Sequence, residues 1–387
     1  MPAIPPPISP EERARRIARF AGSLQESGSA AALIGSSAGL RYFTGLKWSP
    51  TERLVAALIH ADGRLDYVAP GFEVGKIEAA SQMPGEILAW EEDEDPFALV
   101  ADRVRAGRIE MDGQMPVWAW TALARVAGPE RVADGSARLL AMRARKSPAE
   151  IALLSHAKAI TLEVLRQVHG ALEPGVRSSE VAAFIDARHR ALGGEGGSFF
   201  HMVSFGHDTC LPHGGEGDRA LAEGDVVLVD TGTMADGYKS DITRTWVFGE
   251  PGADFRRVWE HEKRAQEVAF EAARPGAPCE AVDAAARRYL EGEGYGPDYR
   301  LPGLPHRTGH GIGLDIHEGP YLVRGDATPL AEGMCFSNEP MLVVPGRFGV
   351  RLEDHFHMTA DGPEWFTRPA ASLDDPFAGV PAWNPAP

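Results

Sequence analysis

The chain has 387 residues, of which 44% are hydrophobic and 24% charged, and it carries a formal charge of −16. That length can bury a large core and points to two domains, while the negative charge opposes binding to phosphate backbones or anionic membranes. No apolar run approaches a membrane span, the N-terminus lacks a basic region followed by an apolar core, and Cys210, Cys279 and Cys335 are scattered thiols without metal-site spacing, so the expected compartment is the cytoplasm.

The first predicted element is a helix over residues 9–28, with Ser9 as N-cap, Pro10 in the first turn, Glu12 completing a capping box and Gly28 as the stop. Its apolar stripe is Ile17, Phe20 and Leu24. Strands follow over residues 30–34 and 54–59, and Asp62-Gly63 turns the chain into a third over 65–68. Mixed segments continue to about residue 140, and the acidic run Glu91–Asp95 reads as a solvated loop. This first part is an α/β domain with no cluster of carboxylates and histidines.

Residues 141–148 form the boundary, where Ser147 and Glu150 make a second capping box. The helix it starts carries Ile151, Leu154, Ala157, Ile160, Val164 and Val168 at helical spacing, Pro174-Gly175 breaks it, and Ser178 opens another helix to about Leu192. The same order recurs as a helix over about 254–273, Pro275-Gly276, and a helix over about 280–290. Each helix pair leads to a Leu-Ala-Glu-Gly turn and a short buried strand, Leu221 onward and Leu330 onward. Two halves of this kind, each unable to cover its own sheet, should join and form one core. Cys335 lies within the second strand and reads as packing. After Pro369 the chain is rich in Pro and Asp and is expected to be a loosely held tail.

Both strands end in an acid six residues past the glycine, Asp230 after Gly224 and Glu339 after Gly333. Asp236-Gly237 then turns the first strand back toward Asp241. A turn centred between 235 and 236 sets Asp230 opposite Asp241, and one centred between 236 and 237 makes them diagonal neighbours; either puts both on one sheet face. In the second half Pro345-Gly346 is the turn, and Glu339 and Glu353 are equidistant from Gly346, so they too face each other. Four acids at buried strand ends repel and lose hydration at a cost of several kcal/mol per ion. One or two divalent cations are the natural compensation, and His310, in a Gly-His-Gly-Ile-Gly stretch, is a fifth donor. Such an oxygen-rich set favours Mn²⁺, Co²⁺, Fe²⁺ or Zn²⁺ over a thiolate-type structural site, and two ions could share the acids.

The set Asp230, Asp241, His310, Glu339 and Glu353 resembles the metal-ligand signature of the pita-bread metallopeptidases, a family that includes methionine aminopeptidase, aminopeptidase P and Xaa-Pro dipeptidase (prolidase). Val-Asp-Thr-Gly at 229, Ser-Asp-Ile-Thr-Arg-Thr at 240, Asn338-Glu-Pro and Arg351-Leu-Glu-Asp look like its proline-peptidase branch, and the likeness covers about residues 145–360. It implies a fold of α/β (α+β) class, with a creatinase-type N-terminal domain over residues 1–142, for which Gly39-Leu-Arg-Tyr-Phe-Thr-Gly45 is the matching stretch, and a pita-bread catalytic domain with an internal pseudo-twofold repeat over 143–387.

The resemblance also implies two divalent metal ions, Mn²⁺ first with Co²⁺ or Zn²⁺ as alternatives, and hydrolysis of X-Pro peptide bonds by a water bridging them with Glu339 as base. His213 would approach the scissile amide, His317 would steady the tetrahedral intermediate, and His306 would contact the substrate carboxylate or carbonyl. Arg351 shares a strand face with Glu353 and would either fix a ligand or hold a substrate carboxylate. Trp48 or Arg53 would line a partner's pocket in a homodimer. His201, His207, His355 and His357 keep an ordinary structural reading. The expected activity is that of a dipeptidase on proline dipeptides, with Xaa-Pro aminopeptidase on longer peptides as the alternative and a non-catalytic peptide binder as the reading of another class. Methionine aminopeptidase is disfavoured by the N-terminal domain, and metal-free creatinase by the five filled ligand positions.

Overall fold

The computed structural model describes residues 4–380, and the chain folds as two compact units, Ile8–Arg143 and a second that comprises the residues before Ile8 together with the chain from Ala144 onward. Among the described residues no helix is long and apolar enough to cross a membrane.

The first unit runs α1 (Pro10–Glu26), β1 (Ser29–Ile34), α2 (Ala38–Thr44), β2 (Ala56–His60), β3 (Leu65–Pro70), α3 (Val74–Ala80), β4 (Glu86–Trp90), α4 (Pro96–Val104), β5 (Arg108–Met111), α5 (Val117–Ala127), β6 (Val132–Asp134) and α6 (Ser136–Ala144). Its sheet has the order β4-β3-β2-β1-β5-β6. Ser9 caps α1 by accepting the Glu12 N–H at 3.2 Å, and the α1 stripe of Ile17, Phe20 and Leu24 is buried. Glu91 to Glu94 are exposed, while the Asp95 carboxylate caps α4 through the Phe97 N–H at 2.9 Å.

The second unit begins with α7 (Pro148–Ala171) and α8 (Ser178–Ala191), followed by β7 (Phe200–Phe205), β8 (Val226–Gly232), β9 (Met234–Ala235), β10 (Tyr238–Lys239) and β11 (Ile242–Val247). Then come α9 (Ala253–Ala272), α10 (Glu280–Gly292), β12 (Gly309–Gly311), β13 (Glu318–Leu322), β14 (Cys335–Asn338), β15 (Met341–Val344), β16 (Phe348–Arg351), β17 (Asp354–Met358) and β18 (Pro363–Trp365). Both halves of the Ser147–Glu150 capping box are formed at the start of α7. One three-stranded sheet runs β11-β8-β7 and one five-stranded sheet runs β13-β12-β14-β17-β18, while β9 pairs with β10 and β15 with β16. Apolar faces of α7 (Ile160, Val164), α9 (Val258, Trp259) and β8 (Val227, Val229) share one core. Cys335 is buried as well, and burial pushes its thiol up to about 12.

The two strand turns obey one geometry. Gly224 and Gly333 sit at φ +85° and +84°, the left-handed region that the turn requires and that a side chain resists. Asp230 pairs with Thr243 and Met234 with Lys239, so the first hairpin centres between Asp236 and Gly237 and Asp230 and Asp241 are diagonal neighbours. In the second hairpin Asn338 pairs with Asp354 and Met341 with Arg351, which sets Glu339 opposite Glu353.

The segment after Pro369 departs from the expected loose tail. Ala370, Leu373 and Phe377 are buried in the main core of this unit, and the Phe377 ring packs on His169 and Trp246 at centroid distances of 5.5 and 6.5 Å. Arg256 holds Asp374 through two contacts of 2.8 Å. Three apolar residues spaced among prolines and acids suffice to dock a segment that has no regular structure of its own; residues 381–387 of the expected tail lie outside the described part. Replacing Phe377 by Ala should therefore cost about 3 kcal/mol of stability, as for a buried aromatic, read as a lowered urea midpoint.

A polar chain crosses the same unit: Ser198 to His189 Nδ1 at 2.7 Å, His189 Nε2 to Thr161 at 3.1 Å, and Thr161 to Ser240 at 2.7 Å. Burial pushes the His189 imidazole down to about 4. An unfolded histidine titrates near 6.5, so between the two values the unfolded chain binds the extra proton and stability falls as pH falls. The loss should reach roughly 3 kcal/mol by pH 4, and His189→Gln should flatten that part of a stability profile measured by urea denaturation from pH 7 to 4.

Candidate metal centre

Breaks in the two hairpins bring the acids together. Donor atoms of His310, Glu339 and Glu353 lie within 4.8 Å of one another, as do those of Asp241, His310 and His317, and those of Asp241, Glu353 and His355. Asp230 stands beside these groups, its Oδ2 held at 2.7 Å by Arg351. Close backbone approach at His310 depends on glycine: a Cβ on Gly309 would collide with the Ser337 carbonyl, and one on Gly311 with that of Glu318.

The imidazole of His310 is oriented by its own backbone. Nδ1 lies 3.0 Å from the Gly311 carbonyl, which can only accept, so the proton sits there and the Nε2 lone pair faces the acids. Nε2 is 3.1 Å from Glu339 Oε1 and 3.8 Å from Asp241 Oδ2, yet it has no hydrogen-bond partner, and neither do Asp230 Oδ1 and Asp241 Oδ1. Three buried donor atoms of this cluster are thus left without a hydrogen-bond partner.

Electrostatics follow from burial and crowding. Burial first, and then the charges of Glu353 and Asp230, push the Asp241 carboxyl well above the usual range. Glu353 is raised well above it too, by burial and then by Glu339 and Asp230. Asp230 is raised by burial against the opposing pull of Arg351. Burial would also raise Glu339, but the adjacent His310 outweighs it and the carboxyl falls below its ordinary value. Protein charges alone therefore do not hold all four acids ionised. A divalent cation meets both observations, the crowded carboxylates and the open donor atoms, and four oxygens with one nitrogen suit an ion of the Mn²⁺ to Zn²⁺ series.

Groups expected to meet substrate are placed as follows. His317 is solvent-accessible, with its ring centroid 4.2 Å from that of His310, and burial and then the His310 charge bring it down to about 4, so it is neutral near pH 7. His213 is exposed and near enough to His317 to interact with it electrostatically. His306 places Nδ1 2.7 Å from the Arg307 carbonyl, leaving a buried Nε2 without a partner. In its neutral form His306 thus presents an acceptor, and meeting a carboxylate would require a proton that burial opposes. Arg351 is committed to the protein: it donates to Asp230, to Thr243 Oγ1 at 3.1 Å and to the Pro212 carbonyl at 3.0 Å. Of its two expected roles the geometry matches the fixing of an acid, and the Pro212 contact also steadies the loop that bears His213. Trp48 belongs to the first unit, where the Lys76 ammonium sits 3.8 Å from its ring centroid, and Arg53 there is paired with Glu92 at 2.8 Å.

Several residues at this centre escaped the sequence reading. His355 is fully buried with Nε2 3.2 Å from Glu353 Oε1; its alternation with Arg351 and Glu353 was the available signal. Thr243 donates to Glu353 Oε2 at 2.8 Å, and Ser337 donates to Glu339 Oε1 at 3.1 Å while accepting the His310 N–H at 2.8 Å. Hydroxyls of this kind leave no mark in sequence apart from their proximity to an acid.

Residues 152–360 match the family model described as metallopeptidase family M24, and residues 16–145 match the creatinase/prolidase N-terminal domain. A probable dipeptidase PepE of Mycobacterium tuberculosis is 38% identical over 361 residues, covering 91% of this chain and 93% of its own. An Xaa-Pro dipeptidase of Lactobacillus helveticus is 34% identical over 352 residues, covering 89% and 94%. The crystal structure of dipeptidase PepE from Mycobacterium ulcerans matches with a TM-score of 0.88 at 34% identity, covering 95% of this chain and 99% of that one. The chain is a member of metallopeptidase family M24, an enzyme that joins a creatinase/prolidase N-terminal domain to a pita-bread catalytic domain.

Proposed function

We propose that the enzyme is an Xaa-Pro dipeptidase that holds two divalent ions, Mn²⁺ first, with Asp230, Asp241, His310, Glu339 and Glu353 as ligands. The observation that carries this reading is the overlapping clusters of Asp241, His310, Glu339 and Glu353 donor atoms, with buried atoms of Asp230, Asp241 and His310 left without a partner. The names of the relatives, a probable dipeptidase and an Xaa-Pro dipeptidase, support the substrate class. A homodimer in the cytoplasm is the matching expectation, in keeping with the family resemblance and three free cysteines.

Two divalent ions there would lower the pKa of a shared water and polarise the scissile carbonyl. Glu339 lies beside His310, its Oε1 3.1 Å from Nε2, and as the ionised acid at that point it would take the proton of the attacking water. Ser337 keeps its Oε1 in place. His317, neutral near pH 7, is suited to donate a hydrogen bond to the oxyanion of the tetrahedral intermediate without adding charge. His213, exposed at the approach to His317 and anchored through Pro212, is suited to the leaving nitrogen. Arg351 opposes the rise of the Asp230 carboxyl and orients it.

The assignment is tested with metal-stripped enzyme resupplied with Mn²⁺, Co²⁺ or Zn²⁺, comparing a dipeptide that ends in proline with a tripeptide that has proline second. Cleavage of the dipeptide alone is expected; cleavage of the tripeptide would move the assignment to Xaa-Pro aminopeptidase, and cleavage of neither would end the proline-peptidase reading. Glu339→Gln should lower kcat by at least about 100-fold on the dipeptide, the scale of a lost general base. Metal should also stabilise the fold: Co²⁺ at 100 times its Kd should add about 2.7 kcal/mol against urea, and Asp241→Asn should erase that gain.

A further inference from the structure

The ladder that carries Glu339 and Glu353 is open where those residues stand. Asn338 pairs with Asp354 on one side of the gap and Met341 with Arg351 on the other, so Pro340 falls opposite Leu352. Proline has no N–H to give. The backbone of both acids is also turned away from the ladder: the Glu339 N–H donates to the Thr308 carbonyl at 2.8 Å and the Glu353 N–H to the Thr243 carbonyl at 3.1 Å. The gap thus exposes buried carbonyls that need a donor from elsewhere.

That donor is one side chain of α9. Gln266 is 1% exposed, and its amide nitrogen lies 3.0 Å from the Leu352 carbonyl, 3.3 Å from the Asn338 carbonyl and 3.3 Å from Asp354 Oδ2. Asn338 answers from the strand, its Nδ2 donating to the Gln266 main-chain carbonyl at 2.9 Å. The residues gripped are the neighbours of Glu339 and Glu353 on both strands. We propose that Gln266 is a positioning residue for the metal centre: its amide fills the gap, keeps the two strands parted, and sets the separation of the Glu339 and Glu353 carboxylates. The inference rests on the reading in which those two acids are metal ligands. A neutral donor is required here, since a carboxylate at the same place would meet two carbonyls and Asp354, and an apolar side chain would leave both carbonyls unpaired.

The test is a Co²⁺ titration of metal-free protein followed by the visible absorption of the bound ion, which reports ligand geometry independently of turnover. Gln266→Met keeps volume and removes the donor; it should bind Co²⁺ about 10- to 100-fold more weakly, the scale of a lost outer partner, with a shifted spectrum, and should lower kcat more than it changes KM. If Gln266→Met does not fold, Asn338→Ala removes only the reciprocal bond, and the same titration should show a smaller loss with a spectral change in the same direction. Wild-type affinity and spectrum in a folded variant would overturn the role of Gln266. Glu353→Gln is the control: if it binds Co²⁺ like the wild type, or the wild type binds none, the ligand reading itself fails and the positioning role with it.

Discussion

Mutual repulsion of four buried carboxylates is the constraint around which the second unit is built. Desolvation and like charge raise Asp241 and Glu353 together, and the nearby cation Arg351, paired with Asp230, does not offset that rise. Such a cluster persists only if something else supplies positive charge or if the acids take up protons. The same repulsion explains why the surroundings are rich in neutral donors. Thr243, Ser337 and His355 each touch one carboxylate and fix its direction without cancelling its charge.

Placing acids at hairpin breaks solves a second problem. A residue within a regular ladder projects at a set angle and its neighbours alternate away from it, so two opposed hairpins could not aim their acids at one point with the ladders intact. In the first hairpin the break leaves Asp241 just before β11, and the Ser240 hydroxyl mends it by accepting the Thr233 N–H at 2.8 Å. In the second, Pro340 withholds an N–H and Gln266 takes up the carbonyls beside it. The helices α7 and α9 therefore do more than cover the sheets: each contributes a polar residue, Thr161 or Gln266, to a break in the strand pair below. The arrangement couples the helix layer to the acids through hydrogen bonds and not through packing alone.

Beside the centre lies one fully buried ion pair. Arg244 and Asp354, both without exposure, meet at 2.8 Å, and Arg244 also donates to the Glu353 carbonyl at 2.9 Å and to that of Arg368 at 3.2 Å. Asp354 points away from the acids, as alternation with Glu353 requires, and its ion pair ties the start of the C-terminal segment to the strand that bears Glu353. That segment then runs into the core through Leu373 and Phe377, so the last described residues belong to the framework of the centre.

Much of this was legible before any coordinates. Capping residues, the twofold Leu-Ala-Glu-Gly turn and the acid at a constant offset are local signals, and local backbone chemistry determines them: an N-cap needs an oxygen, a left-handed turn needs glycine, and alternation assigns Asp354 and Glu353 to opposite faces. Two hairpin registers were equally consistent with Asp236-Gly237, and only the paired strands chose between them, because a turn centre is set by cross-strand hydrogen bonds that sequence does not display. The roles of His355 and Gln266 were not assigned for a related reason. A buried imidazole or amide becomes meaningful through the carboxylate or carbonyl it meets, and Gln266 meets groups 72 and 86 residues away. The docked C-terminal segment was misjudged because it is rich in Pro and Asp while its few apolar residues join a core built from distant parts of the chain. Residue types and short spacings thus determined which atoms could take part, whereas long-range packing decided their separation, their tautomers and their partners.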